Sequence, residues 1–398
     1  MGARRSRRIL LAAFGDAGHA FPAISLALAL RERGHEVAVE TWERWREPVE
    51  DTGLRFQAAE QYTVFPPPPP GSEPGPAEAA RALAPLFEEF DPDLVVSDIL
   101  TLAPSLAAEL HGVRRATLIP HLYPVHQPAM PFFGFGVMPP RTRIGAAAWS
   151  AGAPVLETGL RRGRRELNAT RGSIGLPPLD RFHGGMSEEL VLVATYPELE
   201  HPREWEPQVR VVGPLSFEIP HPEIELPAGE EPLVLVASST AHDPGCELIR
   251  RSFEALASEP VRVVATSNGH FPERPIDVPA NGSLVGWLSY SQLMAAADLV
   301  ICHGGHGTVC RALEAGTPLL VSPAVGDMAE NGARVQWSGA GLMLPSRFRR
   351  PAPLRWVVRD VLSDPAYARR AGEIGADRGP NPGAEPACEA IEELLETA

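Results

Sequence analysis

Residues 9–14 are apolar without alternation, the pattern of a parallel strand buried on both faces. A short loop, Gly15-Asp16-Ala17-Gly18-His19, leads to a helix predicted from about 20 to 33, with Pro22 tolerated in its first turn and Gly34 ending it. Residues 36–41 and 93–97 read as further strands, the latter followed by Asp98 and a helix over 103–110. Alternation of this kind implies an α/β fold with a doubly wound parallel sheet. A second α/β unit has its clearest strands at Leu233–Ala237, 261–265 and Leu299–Cys302. The segment between them carries Pro214, Pro220, Pro222, Pro227, Gly229 and Pro232. That composition places a linker at 214–232, between an N-terminal domain (1–213) and a C-terminal one (233–380). Residues 381–398 form a tail whose acidic stretch, with Ile391, Leu394 and Leu395 on one face, predicts an amphipathic helix.

Two stretches break the rhythm. Residues 61–80 contain five consecutive prolines, Pro66 to Pro70, and read as loop. Residues 120–140 are rich in proline and aromatics, including His121, Tyr123, His126, Met130, Phe132, Phe133, Phe135 and Met138. They are either a buried irregular connection or the walls of an apolar ligand pocket.

Composition narrows the classes. The chain has 398 residues, 44% apolar and 22% charged, enough for two globular domains. Its net charge of −14 argues against nucleic-acid binding. All 36 basic residues are arginine, which removes P-loops, pyridoxal Schiff bases and lysine-dependent kinases. The four cysteines, Cys246, Cys302, Cys310 and Cys388, show neither metal-ligand nor disulfide spacing and read as reduced thiols of a cytoplasmic protein. Arg4, Arg5, Arg7 and Arg8 ahead of the first apolar run imitate a signal peptide, but six apolar residues are too few, and none of the runs approaches a membrane span.

The segment Cys302-His303-Gly304-Gly305-His306-Gly307-Thr308 follows a strand and opens a helix. Glycines admit a ligand to the backbone, and the helix start offers unpaired N–H groups and a positive dipole end, so a phosphate or diphosphate fits there. His303 and His306 lack a third ligand nearby, so no metal site is read from them. His19 sits where a buried strand gives way to a helix, the edge where α/β proteins place ligands; the helix start is expected to keep its ring neutral. Asp98 ends an equivalent strand and would orient such an imidazole. Asp91-Pro92-Asp93 imitates a metal-binding D-x-D, but it precedes its strand, at the wrong end for a ligand.

Gly18-His19, the run Arg33-Gly34-His35-Glu36-Val37, Trp287, the His303–Thr308 segment, Pro318, Pro323 and Asp327 resemble the bacterial natural-product glycosyltransferases of the GT-B fold, related to the UDP-glycosyltransferases. The resemblance spans the chain and is strongest over 283–344. It implies two Rossmann-like domains facing across a cleft, the acceptor on the first, a nucleotide sugar on the second, and the tail helix crossing back to the first. It implies inverting, metal-independent transfer from a UDP or dTDP sugar to a hydroxyl of a small apolar or aromatic acceptor, with no cofactor beyond that co-substrate. His19 would be the general base and Asp98 its partner. Trp287 would stack on the nucleobase, with the Leu288 backbone at its edge. Ser239, Thr240, His303, Gly305, Gly307 and Thr308 would meet the phosphates, and Asp327 with Met328 the sugar. His121, Tyr123, Met130, Phe132, Phe133 and Phe135 would line the acceptor pocket.

Three positions depart from the family pattern. Met328 replaces a glutamine after the sugar-binding aspartate, Arg311 stands where many relatives have a ribose-binding glutamate, and Ser289-Tyr290 follows the tryptophan pair. A catalytically silent nucleotide-sugar-binding partner protein and a nucleotide-sugar epimerase are the competing readings. Oligomeric state is not written in the sequence, and a homodimer stays open.

Overall fold

The computed structural model describes residues 5–59, 75–181, 185–220, 224–239, 243, 245–269, 272, 274–323 and 326–397. Two parallel sheets organise them. The first runs β3-β2-β1-β4-β5-β6-β7, from β1 (Arg8–Ala12), β2 (Glu36–Trp42), β3 (Arg55–Ala59), β4 (Leu94–Asp98), β5 (Arg114–Ile119), β6 (Val191–Val193) and β7 (Val209–Val211). The second runs β10-β9-β8-β11-β12-β13, from β8 (Leu233–Ala237), β9 (Arg262–Thr266), β10 (Gly282–Val285), β11 (Leu299–Cys302), β12 (Leu319–Val321) and β13 (Gly341–Met343). In each, the chain starts in the middle, winds one way, then crosses back and winds the other. The doubly wound reading holds for both halves.

Two-sided burial explains the unbroken apolar runs. Ile9 and Leu11 enter one core with Ile24, Leu26 and Leu30 of the helix Ala17–Glu32, while Leu10 between them enters the opposite core with Phe87, Phe90 and Leu106. The second sheet repeats this: Leu233, Leu235 and Ala237 face one core, Val234 and Val236 the other. Each strand thus supplies both layers, as a period of two demands.

The first helix begins at Ala17, three residues before the predicted start, because the Asp16 carbonyl already accepts from the N–H groups of His19 and Ala20. Pro22 therefore lies in the helix interior, where it leaves the carbonyl of Gly18 without its helical donor. A 31-residue helix, Arg143–Ser173, was not legible in the sequence. It is polar, and its buried side chains are Leu167 and Arg171, the latter gripped by both oxygens of Glu109 at 2.7 Å. The tail forms the helix Ala384–Glu396, whose Cys388, Ile391 and Leu395 join the first sheet's core with Ile9 and Leu30. Glu392 of that helix takes a forked pair of bonds from Arg33 at 2.9 and 2.6 Å.

Candidate active site

Where the winding direction reverses, between β1 and β4, two chain segments leave the sheet toward opposite faces and a gap opens at its carboxyl edge. The register pairs Ala12 with Ser97, so the loop after β1 and the last residue of β4 meet at this gap. His19 reaches into it from the first turn of its helix, and Asp98 from the strand end; His19 Nδ1 and Asp98 Oδ2 are 2.7 Å apart. An ionised carboxylate can only accept, so Nδ1 carries the proton and Nε2 is left as the basic atom. The Asp98 side chain is fully buried, and its other oxygen accepts the Leu100 N–H at 2.7 Å.

Burial is the largest influence on the His19 pKa and lowers it, but the Asp98 charge and hydrogen bond, with smaller contributions from Asp16 and Asp327, outweigh it, and the net shift is upward. The helix start favours the neutral ring, whereas the buried carboxylate 2.7 Å away acts in the opposite sense, and the net direction is upward. His121 stacks edge-on to His19 at 5.9 Å, and burial and the charge of His19 push its own pKa down.

The second sheet offers the equivalent gap between β8 and β11, where Ala237 pairs with Cys302. After β11 the chain turns through Gly304 at φ +90°, where a Cβ would come within 2.7 Å of the Met328 carbonyl and 2.9 Å of Val321; only glycine fits. The helix His306–Glu314 then starts with Gly305 as its cap residue. Gly307, in the first turn, is exposed with open space where a Cβ would stand. His303 Nδ1 donates to the Ala237 carbonyl at 3.4 Å, bridging the gap, and Ser239 is buried at its other lip. Thr308 is half-buried in the same turn; Thr240 lies outside the described residues. His306 does not face this turn. Its ring is buried, with Nε2 3.3 Å from the Ala194 carbonyl of the first domain and Nδ1 3.2 Å from Asn331 Oδ1, and burial pushes its pKa down to about 4.

Trp287 is 52% exposed, its indole lying over Gly269, where a Cβ would meet the ring at 2.5 Å. The Leu288 side chain is in the core. Arg311 is turned to the linker, where it holds the Phe217 carbonyl and, at 3.4 Å, Glu218. Glu218 in turn accepts the backbone N–H groups of Tyr290 and Ser291 at 2.6 and 3.3 Å, and the Tyr290 hydroxyl donates to Asn268 Oδ1 at 3.1 Å. Asp327 directly precedes the helix Met328–Ser338, and Met328 is half-buried.

The aromatic stretch divides. His121 neighbours both His19 and, at 6.1 Å, Phe133. Phe132 packs edge-on to Phe135 and Trp149, and Phe135 is exposed. Tyr123 is core, against Trp205, with its hydroxyl 3.4 Å from Glu206; Met130 lines a small hollow beside His201 and Arg334. A larger cavity, about 180 Å³, opens elsewhere: at the carboxyl ends of β1, β2 and β3, beside Phe14, Glu40, Trp42 and Thr101. Sequence reasoning missed it because six of its thirteen lining residues are alanine, which carries no pocket signal; Glu40, a carboxyl inside an apolar strand, was the available clue.

Comparison with known proteins fits this arrangement. Residues 9–110 match the glycosyltransferase family 28 N-terminal domain, and residues 252–394 the C-terminal domain of erythromycin biosynthesis protein CIII-like proteins. The chain is 29% identical to 4'-demethylrebeccamycin synthase of Lentzea aerocolonigenes, over 98% of this chain and 99% of that protein. It is likewise 29% identical to O-mycaminosyltylonolide 6-deoxyallosyltransferase of Streptomyces fradiae, over 98% of each. Among solved structures, the glycotransferase of kitacinnamycin superposes with a TM-score of 0.78 at 23% identity, covering 98% of this chain and 100% of that one; at that identity the likeness speaks to the fold.

Two predictions follow from the geometry. Asp98→Asn removes the charge that holds the proton on His19, so the acidic limb of the kcat/KM profile moves to lower pH. In the wild type the contact adds stability that is complete below pH 6.5 and fades as pH rises through the raised His19 value. Melting curves across pH should show that dependence lost in Asp98→Asn, and an unmoved limb would refute the coupling. Gly307→Ala adds a methyl where nothing in the protein touches it. In a helical turn it should stabilise by roughly 0.5–1 kcal/mol, yet weaken UDP or dTDP in calorimetry; unchanged nucleotide affinity would show that the turn is not a diphosphate site.

Proposed function

We propose that the chain is a natural-product glycosyltransferase of the GT-B fold that performs inverting, metal-independent transfer from a UDP or dTDP sugar to a hydroxyl of a small apolar or aromatic acceptor. The observation that carries this reading is the contact of His19 with the buried Asp98 at the strand-order switch. A silent binding module has no use for a base whose proton affinity is raised by a fully buried carboxylate.

The acceptor O–H gives its proton to His19 Nε2 while its oxygen forms the bond to the anomeric carbon. The bond from that carbon to the diphosphate breaks on the opposite face, its electron pair leaving with the diphosphate oxygen, and the configuration inverts. Asp98 stabilises the imidazolium without taking the Nδ1 proton. Charge gathering on the diphosphate is met by the start of the helix His306–Glu314, with His303, Ser239, Gly305, Gly307 and Thr308 around it, so a cation is not needed. Trp287, with half its surface open, takes the nucleobase against the Leu288 backbone. The acceptor lies in the first domain beside His19 and His121.

Asp327 and Met328 stand at the sugar. The carboxylate accepts from sugar hydroxyls, whereas the thioether donates to none. A buried hydroxyl beside Met328 would lack a partner, at about 1–3 kcal/mol, and a deoxygenated carbon would not. The donor is therefore read as a deoxyhexose; a relative at 29% identity is itself a 6-deoxyallosyltransferase.

His19→Ala should lower kcat by about 10²–10⁴-fold and leave nucleotide affinity nearly intact, and wild-type turnover should survive excess EDTA. Undiminished turnover in the variant, or activity restored only by magnesium or manganese, refutes the mechanism. Met328→Gln should raise the kcat/KM ratio of glucose over 6-deoxyhexose donors; a constant ratio assigns Met328 to packing alone.

A further inference from the structure

The cavity at the ends of β1, β2 and β3 has no part in the proton transfer just described. Its walls are the alanines 13, 58, 59, 79, 82 and 103 with Gln57, closed off by Phe14, Trp42, Leu83 and Pro104. At about 180 Å³ it exceeds the roughly 150 Å³ that holds a benzene ring in a dry protein interior. Two polar groups among these walls lack partners. Glu40 is 5% exposed and its Oε2 meets no donor or acceptor; Thr101 is 7% exposed and its Oγ1 is in the same position. Buried polar atoms are ordinarily satisfied, and two orphans lining one hollow call for a ligand.

The hollow adjoins the base, with the Phe14 ring between them. Phe14 is edge-on to Trp42 at 4.8 Å on one side and to His19 at 6.0 Å on the other. Thr101 donates its N–H to the Asp98 carbonyl at 2.9 Å. A molecule in the cavity therefore places its far end one aromatic ring from the His19 imidazole.

We propose that the cavity takes a flat, uncharged ring of the acceptor and that Glu40 and Thr101 read a hydroxyl on that ring, distinct from the hydroxyl that receives the sugar. The shape argues for the ring: small alanine side chains leave room beside the edge-on pair of Phe14 and Trp42. The orphans argue for the hydroxyl, since it both donates and accepts and so satisfies a carboxyl oxygen and a threonine hydroxyl together. Charge argues for neutrality. Burial pushes the Glu40 pKa up to about 8, so at neutral pH the carboxyl is mostly protonated and neither needs a cation nor repels an uncharged ligand. Glu40 is then a specificity-determining residue, and the inference rests on the reading of the first domain as the acceptor domain.

Phenol and toluene, equal in size and differing in the hydroxyl, are the probes. Their dissociation constants are measured by calorimetry at pH 7 on the full chain, for the wild type, Glu40→Gln and Glu40→Leu. The ratio of phenol to toluene affinity is expected to fall about tenfold in Glu40→Leu, the worth of one to two hydrogen bonds. Glu40→Gln, which keeps a donor and an acceptor, should retain most of it and shows that the pocket still folds. An unchanged ratio in Glu40→Leu, or no binding of either probe by the wild type, overturns the proposal. The readout needs no turnover. His19→Ala should keep the wild-type ratio while losing transfer, so failure of the transfer mechanism and failure of this inference are seen separately.

Discussion

The 2.7 Å contact between His19 and Asp98 is the constraint on which the first domain turns. It exists because β1 and β4, whose paired residues are 85 apart in sequence, lie side by side in the register Ala12 to Ser97. A slip by one residue would carry Asp98 along the strand by about 3.3 Å and turn its side chain to the other face. The register is held by burial on both faces: Leu10 and Val95 share one core, Ile9 and Leu94 the other, and a shift would exchange them. Packing of apolar side chains thus sets the spacing of a polar pair that contributes little to the core itself.

The second sheet applies the same topology to the opposite electrostatic task. At its switch point the chain presents backbone N–H groups and His303 rather than a carboxylate, so the gap favours an anion where the first favours a proton acceptor. The two gaps are tied together by groups kept out of the chemistry. His306, neutral through burial, reaches the Ala194 carbonyl of the first domain, and Arg334 reaches the Leu199 carbonyl at 3.1 Å and Glu200 at 3.5 Å. Arg378 pairs with Glu198 in the same region. Asp327 lies close enough to act on the charges of His19, His121 and His306 together, which couples a carboxylate beside the second sheet to the histidines of both gaps.

What could be read from the sequence was what period and length make visible. The runs at β1, β8 and β11 are four or five unbroken apolar residues and stand out; β6, β7, β12 and β13 have three residues each, below any period. The glycines around His303 announced a close approach of backbone, and Gly304 has no room for a Cβ. His306 in the same segment gave no sign that it belongs to the contact between domains, because that contact is made by a main-chain carbonyl with no sequence signature. The departure at Arg311 has a physical cause the sequence hid: the guanidinium is committed to the linker, and Glu218, ahead of the first strand of the second sheet, arranges the start of the Tyr290–Ala296 helix.

The first domain also separates what must be fixed from what can vary. His19 and Asp98 are anchored by a strand end, a helix start and the Leu100 N–H, so their geometry depends on backbone that the sheet holds rigid. The adjoining cavity is walled largely by alanines on several different elements. Exchanging one alanine for a larger apolar residue would change the cavity's shape through side-chain volume alone, without moving a strand or touching the dyad. Such a division lets one scaffold keep the His19–Asp98 contact while the cavity is reshaped, and it locates that freedom in the small side chains at the ends of β1 and β3 and on the helices beside them.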